Sequence, residues 1–428
     1  MAKAGAQPHP SDLARRYAAV RGTTEALAAP LSPEDQTVQS MPDVSPTKWH
    51  RGHTSWFFET FLLQPELDGY DVFHPAFAYI FNSYYETVGA RHPRPERGFI
   101  SRPGVAEVAD YRAHVDEAMD RLMAGPLGNE PAALVELGIH HEQQHQELLL
   151  MDIKHVLSRN PLQPAYAATP TVRAEEPGKP GWIEHPGGVV EVGHDGRGFG
   201  FDNEFPHHRV LLTPFCLADR PVTCGEWLAF MDDGGYQRPE LWLSDGWAMV
   251  NNQGWEAPLY WFRDDPLAWP GGHGTGGPEQ WQVFTLSGRH EMDPAEPVCH
   301  LSYYEADAFA HWVGARLPTE SEWEVLATVV PPAGNLLDPG VLHPRASTDA
   351  AFYGDVWEWT SSSYCPYPGF RTAPGAVGEY NGKFMVNQYV LRGGCCVTPA
   401  DHVRATYRNF FPASARWAFS GVRLARDL

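Results

Sequence analysis

Residues 132–157 read AALVELGIHHEQQHQELLLMDIKHVL. Apolar side chains and two histidines recur there at intervals of three and four residues, at Leu134, Leu137, His141, His145, Leu149, Ile153 and Val156, with Ile139 and Leu148 beside them. This period predicts one long helix with a buried face. His141 and His145 are four residues apart, so their imidazole rings lie on the same side of that helix and can share a metal ion.

The same segment contains the pattern His-Glu-x-x-His, which is typical of zinc proteases with the glutamate, here Glu142, as general base. The pattern is short and arises easily by chance in a histidine-rich helix. No downstream histidine completes a metzincin pattern, and no second helix supplies the glutamate ligand of other zinc proteases. A zinc hydrolase is therefore kept as an alternative interpretation only.

A third histidine ligand is available upstream, in WHRGHTSWFFE at residues 49–59. His53 lies beside the aromatic, core-facing positions of this second amphipathic segment, and His50 precedes it by three residues. A single buried histidine is usually satisfied by backbone groups, but a spaced pair with a third on another helix favours a metal. Three neutral imidazoles leave two or three coordination positions open, which suits Fe(II) and also zinc.

The first half of the chain is predicted to be a four-helix bundle, in which facing helices supply metal ligands. Its helices are predicted over residues 11–27, 48–63, 105–122 and 132–157. Residues 160–180 are rich in Pro, Ala and Thr, which indicates a linker. We expect a helical domain over 1–162, a linker over 163–180 and a second domain over 181–428.

The second domain is predicted to be an irregular α+β structure, because short strand-like runs alternate with long Gly-, Pro- and Trp-rich segments. The runs occur at residues 187–192, 209–212 and 389–392, and only two helices are clear, near 223–231 and 303–315. All six cysteines lie in this half without a CxxC pair, and we expect buried free thiols.

The formal charge of −21 argues against nucleic-acid and anionic-membrane partners, since both would be repelled. No run of 18 apolar residues occurs, and the N-terminus lacks the apolar core of a signal peptide. These features predict a cytoplasmic protein that acts on small molecules.

A segment with paired tyrosines and arginines, NSYYETVGARHPRPERG at residues 82–98, makes poor core material. The hydroxyl of Tyr84 or Tyr85 can donate a proton near a metal. Arg91 and Arg94 can bind a substrate carboxylate bidentately. Judged alone, the segment is interpreted equally well as a solvated basic loop.

The histidine segments resemble the DinB-like iron-binding bundle of the ergothioneine-pathway sulfoxide synthases. The second half resembles the formylglycine-generating-enzyme, or sulfatase-modifying-factor, domain that is fused to that bundle. The motifs that carry the second resemblance are PVTCGEWLAF (221–230), PVCHLSYYEA (297–306), ARLPTESEWE (315–324), GDVWEWT (354–360), LRGG (391–394) and GVRLAR (421–426). They occur in the expected order, and the resemblance implies a C-type-lectin-like fold for this domain.

The resemblance implies a function for individual residues. It implies that His53, His141 and His145 bind Fe(II), with His50 and His140 in supporting positions. Gln144 then contacts the imidazole of hercynine, the trimethylated histidine, and residues in the last part of the chain hold its trimethylated end. These are Asn409 and Phe410, followed by Phe411. Arg91 and Arg94 bind the carboxylate of the thiol substrate, and an aromatic face suits a quaternary ammonium.

Departures from the actinobacterial pattern refine this expectation. A Trp-Asp pair is replaced here by Phe410 and Phe411, as in a second group of these synthases in which paired tyrosines, here Tyr84 and Tyr85, donate the proton. Loss of the aspartate favours cysteine over γ-glutamylcysteine as the thiol. A selenoneine-type relative that joins hercynine to a selenosugar stays open as an alternative. The adjacent Cys395 and Cys396 lack the spacing that formylglycine generation requires.

Overall fold

The computed structural model describes residues 10–168, 181–263, 281–346, 351–373, 378 and 381–428. It forms two compact units, which we call the helical unit (Met1–Arg159, Gly196–Asp202 and Arg371–Lys383) and the mixed unit (Asn160–Asp195, Asn203–Phe370 and Phe384–Leu428). The domain bounds expected from the sequence, with a linker over 163–180, remain a prediction. Residues 169–180 of that linker lie outside the described residues.

The helical unit contains the four helices that apolar periodicity predicts, with ends that differ by at most three residues when the π-helical continuation of α2 is counted. Its helices are α1 (Pro10–Ala28), α2 (Thr47–Phe58), α3 (Gln64–Glu66), α4 (Phe77–Ile80), α5 (Val105–Met123) and α6 (Asn129–Arg159). Helix α2 continues into five π-helical residues, Glu59–Leu63. Helix α6 packs against α1 and α2, and α2 also packs against α5. The core between them is apolar and aromatic, with Trp56, Val115 and Ile139 fully buried.

The mixed unit is built from short strands, as its alternating composition predicts. Its strands are β1 (Trp182–His185), β2 (Gly188–Val192), β3 (His208–Leu212), β4 (Phe215–Ala218), β5 (Trp261–Phe262), β6 (Gln282–Thr285), β7 (Gly288–Glu291), β8 (Gly334–Asn335), β9 (Tyr353–Gly354), β10 (Trp357–Ser363), β11 (Gln388–Arg392), β12 (Asn409–Pro412), β13 (Ser420–Gly421) and β14 (Ala425–Asp427). The largest sheet has the order β12-β11-β10-β13, and β1-β4-β14 forms a second sheet. The three strand runs expected from the sequence are confirmed as β2, β3 and β11.

The expectation of only two helices in the mixed unit is wrong. Besides α7 (Cys224–Asp232) and α9 (Tyr303–Trp312), the structure contains α8 (Ser244–Gln253) and α10 (Glu320–Ala327). Helix α10 has eight residues, too few to show a clear apolar period. It is stabilised at its start by a capping box, in which Thr319 and Glu322 each bond the backbone N–H of the other.

All six cysteines lie in described residues and none forms a disulfide, as expected. Five of them are buried, whereas Cys365 is exposed, so the prediction of burial is wrong for that one residue. Among the described residues, no helix combines the length and apolar composition that crossing a bilayer requires.

Candidate metal centre

The three predicted histidine ligands meet in the helical unit. One ring nitrogen from each of His53, His141 and His145 lies within 4.8 Å of the other two. Three atoms so spaced lie within about 2.8 Å of a common centre, and ring movements of under about 1 Å would bring them to the roughly 2.1 Å typical of metal–imidazole bonds. In the described part of the chain, no other group of three His, Cys, Asp or Glu residues has this geometry.

Two glycines let the elements that hold this trio approach closely. A Cβ on Gly138 of α6 would lie 2.4 Å from the ring of Phe58, so only glycine lets α6 pack this closely on α2. A Cβ on Gly52 of α2 would lie 2.2 Å from the ring of Phe81. The backbone carbonyl of Phe81 therefore reaches the ring of His53.

The ring of His53 is oriented from both sides. It stacks between Trp49 and Trp56, with centroids 4.7 and 5.4 Å away. Its Nδ1 lies 2.6 Å from the carbonyl oxygen of Phe81, so Nδ1 carries the hydrogen and donates it. Its Nε2 is buried and has no hydrogen-bond partner among the described residues. A buried ring nitrogen with a free lone pair is what a metal ligand requires.

Burial keeps the trio uncharged. Desolvation lowers the pKa of His141 to about 4. It also lowers the pKa values of His53 and His145 well below the usual range, and the neighbouring histidines add to the effect. All three rings are therefore neutral at pH 7, the form that binds metals. The donor set of three imidazoles without a carboxylate fits a first-row divalent ion such as Fe(II), and its chemistry alone also fits zinc.

Glu142 does not serve the trio as a general base. Its side chain is fully buried, and one oxygen accepts a bond from Arg21 (2.9 Å) while the other accepts from Thr24 (2.7 Å) and Arg112 (3.0 Å). The two guanidinium groups outweigh the desolvation that burial imposes and hold the pKa of Glu142 at about 2. A general base needs a pKa near neutrality and access to the reacting proton. The geometry thus removes the support for a zinc protease.

The paired tyrosines occupy different environments. Tyr85 is buried, and its ring contacts Trp56 (5.5 Å), the same indole that stacks on His53. Tyr84 is partly buried, and its ring lies 4.7 Å from that of Tyr85. Both residues therefore lie in the aromatic cluster that leads to His53.

Of the arginines near them, Arg91 and Arg94 are exposed. Arg91 is paired with Glu86 at 2.8 Å, and Arg94 donates to the backbone carbonyl of Asp43. Arg97, which the sequence analysis did not select, is buried, with its guanidinium 3.3 Å above the ring of Trp49. Its pKa is lowered, chiefly by desolvation.

Arg97 donates to the hydroxyls of Ser45 (2.8 Å) and Ser83 (3.2 Å) and makes no ion pair with a described carboxylate. The regular spacing of arginines at positions 91, 94 and 97 was the sequence feature from which Arg97 could have been selected. Residues Arg94–Phe99 form a 3₁₀ helix, in which positions three apart align.

The remaining predicted residues lie on regular elements. Gln144 is partly buried on α6, one position before His145. In the mixed unit, Asn409, Phe410 and Phe411 lie on β12, opposite Leu391, Val390 and Tyr389 of β11. Phe410 stacks on Tyr364 with centroids 4.1 Å apart, and Phe411 contacts Trp417 edge-on. β12 thus presents partly buried aromatic side chains.

Comparisons with known proteins agree with the families expected for both halves of the chain. Residues 16–149 match the DinB superfamily, and residues 168–336 and 349–428 match the sulfatase-modifying factor enzyme 1-like domain. The hercynine oxygenase of Mycolicibacterium thermoresistibile is 32% identical, covering 99% of this chain and 96% of that protein. The hercynine oxygenase of Mycobacterium tuberculosis is 31% identical, with 98% and 99% covered. Ergothioneine biosynthesis protein 1 of Schizosaccharomyces pombe is 27% identical over 54% of this chain and 28% of its own length.

A DinB-type bundle carrying a histidine trio, joined to a sulfatase-modifying-factor domain, defines a two-domain metal-dependent enzyme. Within that class, the chain belongs to the hercynine oxygenase family, an ergothioneine-pathway family of sulfoxide synthases. The predicted family and the mixed α+β, two-domain architecture are thereby confirmed.

Proposed function

We propose that this chain uses Fe(II) and O2 to join the imidazole C2 of hercynine to the sulfur of a small thiol, giving a sulfoxide. The observation that carries the proposal is the buried trio of His53, His141 and His145 in a chain of the hercynine oxygenase family. Zinc has no redox chemistry, whereas an oxygenase needs a metal that exchanges electrons with O2. Bound Fe(II) would pass electrons from the two substrates to O2 and would lower the pKa of the thiol.

The overall reaction balances without an external reductant. Hercynine loses its C2 hydrogen and the thiol loses its S–H hydrogen as the C–S bond forms, which releases two electrons. Oxidation of the sulfur to the sulfoxide releases two more. The four electrons reduce O2, so that one oxygen atom remains on sulfur and the other leaves as water with the two hydrogens.

Tyr84 and Tyr85 are proposed to supply a proton during O2 reduction. Support comes from the ring contacts that join Tyr85 to Trp56 and Trp56 to His53. The ring of Tyr84 lies 4.7 Å from that of Tyr85, and the neighbouring Ser83 accepts a hydrogen bond from Arg97. A phenol O–H is a proton donor of the kind that general acid catalysis uses.

An anionic substrate group is proposed to bind at the arginine segment. Arg91 and Arg94 are exposed and match the family's carboxylate clamp, and the buried Arg97 adds a cation that makes no ion pair with a described carboxylate. A buried cation is costly unless an anion compensates it, which supports a carboxylate ligand here.

Gln144 is proposed to contact the imidazole of hercynine, and Asn409, Phe410 and Phe411 its trimethylammonium end. The stacked rings of Phe410 and Tyr364 provide an aromatic face, which attracts a quaternary ammonium group. Because Phe411 occupies a position that is acidic in the actinobacterial type, cysteine is the proposed thiol. A selenosugar and γ-glutamylcysteine are the alternative substrates that the experiment below compares with cysteine.

The test is anaerobic reconstitution of the full chain with Fe(II), followed by O2 and hercynine with cysteine, γ-glutamylcysteine or a selenosugar. Mass spectrometry of the products under ¹⁸O2 should show a cysteine adduct of hercynine that carries one ¹⁸O atom. A selenosugar adduct alone would assign the chain to the selenoneine type. Absence of any hercynine adduct from an iron-loaded protein would overturn the proposal.

A further inference from the structure

We propose that His50 and Asp152 are positioning residues that fix the tautomer of the ligand His145. Nδ1 of His50 lies 2.9 Å from Nδ1 of His145. Nε2 of His50 lies 3.0 Å from Oδ2 of Asp152. The three side chains thus form a continuous relay that ends at the metal centre, and the inference rests on the metal-binding role proposed for the trio.

The positions of the protons in the relay follow from its end at Asp152. An ionised carboxylate can only accept, so Nε2 of His50 carries a hydrogen and donates it. A His50 ring with this one hydrogen has its acceptor at Nδ1, to which Nδ1 of His145 donates. This leaves Nε2 of His145 with a free lone pair, the state that a metal ligand requires. The reverse arrangement would place the hydrogen of His145 on Nε2 and block metal binding.

The fold holds the relay from both helices. His50 is one turn before the ligand His53 on α2, and Asp152 is two turns after His145 on α6, so both face the same interhelical space. Asp152 is held in place by the backbone N–H of Ser45, which donates to Oδ2 at 2.8 Å. His50 and Asp152 are each 3% exposed, and hydrogen bonds excluded from water in this way are strengthened.

The relay makes two of the ligands chemically different. His53 donates its Nδ1 hydrogen to the neutral carbonyl of Phe81, whereas His145 donates through His50 towards a carboxylate. A carboxylate behind a ligating histidine raises the basicity of the ligand. His145 is therefore a stronger electron donor to the metal than His53.

The first test reads the tautomers directly in metal-free protein. Two-bond ¹H–¹⁵N correlation spectra distinguish Nδ1–H from Nε2–H histidines, and we expect His145 as the Nδ1–H form and His50 as the Nε2–H form. In His50→Phe the acceptor is lost, and His145 should become a mixture of the two tautomers. A His145 ring that is protonated on Nε2 in the unaltered protein, or tautomers that His50→Phe leaves unchanged, would overturn the proposal.

The second test measures affinity for Fe(II) and Zn²⁺ by competition with a chromophoric chelator. His50→Phe should weaken binding by roughly 10–100-fold, as loss of such supporting residues does elsewhere. Asp152→Asn keeps an oxygen acceptor but removes the charge, and it should weaken binding by a smaller factor. His114→Phe is the matched control, because His114 of α5 contacts Tyr70 and Phe73 outside the relay, and its substitution should leave affinity unchanged.

Failure of the relay can be distinguished from failure of the proposed function. Failure of the unaltered chain to bind a metal would contradict the metal centre, while the tautomers of the metal-free protein would still test the relay. Tight binding with equal affinities in His50→Phe, Asp152→Asn and the control would contradict the relay and leave the metal centre intact.

Discussion

At His53, burial and one hydrogen bond have separate effects. Desolvation favours the neutral form of His53, and the carbonyl of Phe81 selects the tautomer with a free Nε2. Glu142, which follows His141 in α6, is the opposite case: although it is buried, Arg21 and Arg112 keep its carboxylate ionised. Adjacent positions of α6 thus carry a proposed metal ligand and a carboxylate bound by two arginines.

For the tyrosine pair, we expect that Tyr84→Phe combined with Tyr85→Phe shifts the products. Without a phenolic proton donor, less sulfoxide adduct and more cysteine sulfinate should form, while iron content stays at the level of the unaltered protein. Chromatography with mass detection gives the ratio. An unchanged ratio of sulfoxide to sulfinate would exclude both hydroxyls as the donor.

For Glu142, we expect a structural role. Glu142→Gln leaves Arg21 and Arg112 without their buried anion, and the free energy of unfolding should fall by about 3 kcal/mol. Because its folded pKa of about 2 lies below the unfolded value near 4.5, the carboxylate contributes stability above pH 4.5 that is lost towards pH 2.

Urea denaturation at several pH values checks this expectation for Glu142. The difference in stability between the unaltered protein and Glu142→Gln should be constant above pH 5 and shrink as the pH falls. A variant that unfolds normally but has lost all turnover would instead identify Glu142 as a catalytic base.

At the scale of elements, close approach of α2 and α6 brings the rings of His53, His141 and His145 together. The helices themselves were predictable, because apolar residues such as Val135 and Ile139 follow the helical period. The pairing of the trio was partly predictable, since the four-residue spacing of His141 and His145 places them on one face. The roles of Gly138 and the carbonyl of Phe81 were not, because they depend on contacts between distant segments. Helix α10 was missed because its eight residues are too short to show a period.

Gly138→Ala should therefore separate α2 from α6. The added Cβ would lie 2.4 Å from the ring of Phe58, and such overpacking typically lowers stability by roughly 1–3 kcal/mol. Iron affinity should fall with it, because His141 lies one turn away on the same helix. Gly22→Ala in α1 is the control, since its Cβ meets nothing within 4 Å and alanine favours the helix. Equal stability and affinity in the two variants would contradict this role of Gly138.

At the scale of the whole molecule, the order of the motifs along the chain was the strongest sequence signal. The bundle and the sulfatase-modifying-factor domain match family models over nearly the whole chain, as the motif order implied. The irregular fold of the mixed unit was available only through that resemblance, because its strands of two to seven residues carry little periodicity. Arg97 was missed because sequence does not reveal which of three evenly spaced arginines is buried.

The central claim is that His53, His141 and His145 together hold one iron ion, and anaerobic Fe(II) titration of the full chain tests it most directly. We expect one iron per chain in the unaltered protein and in His155→Ala, a substitution on α6 outside the trio. His53→Ala, His141→Ala and His145→Ala should each bind far less than one, with unchanged helical circular dichroism. Stoichiometric iron in all three alanine variants would contradict the account.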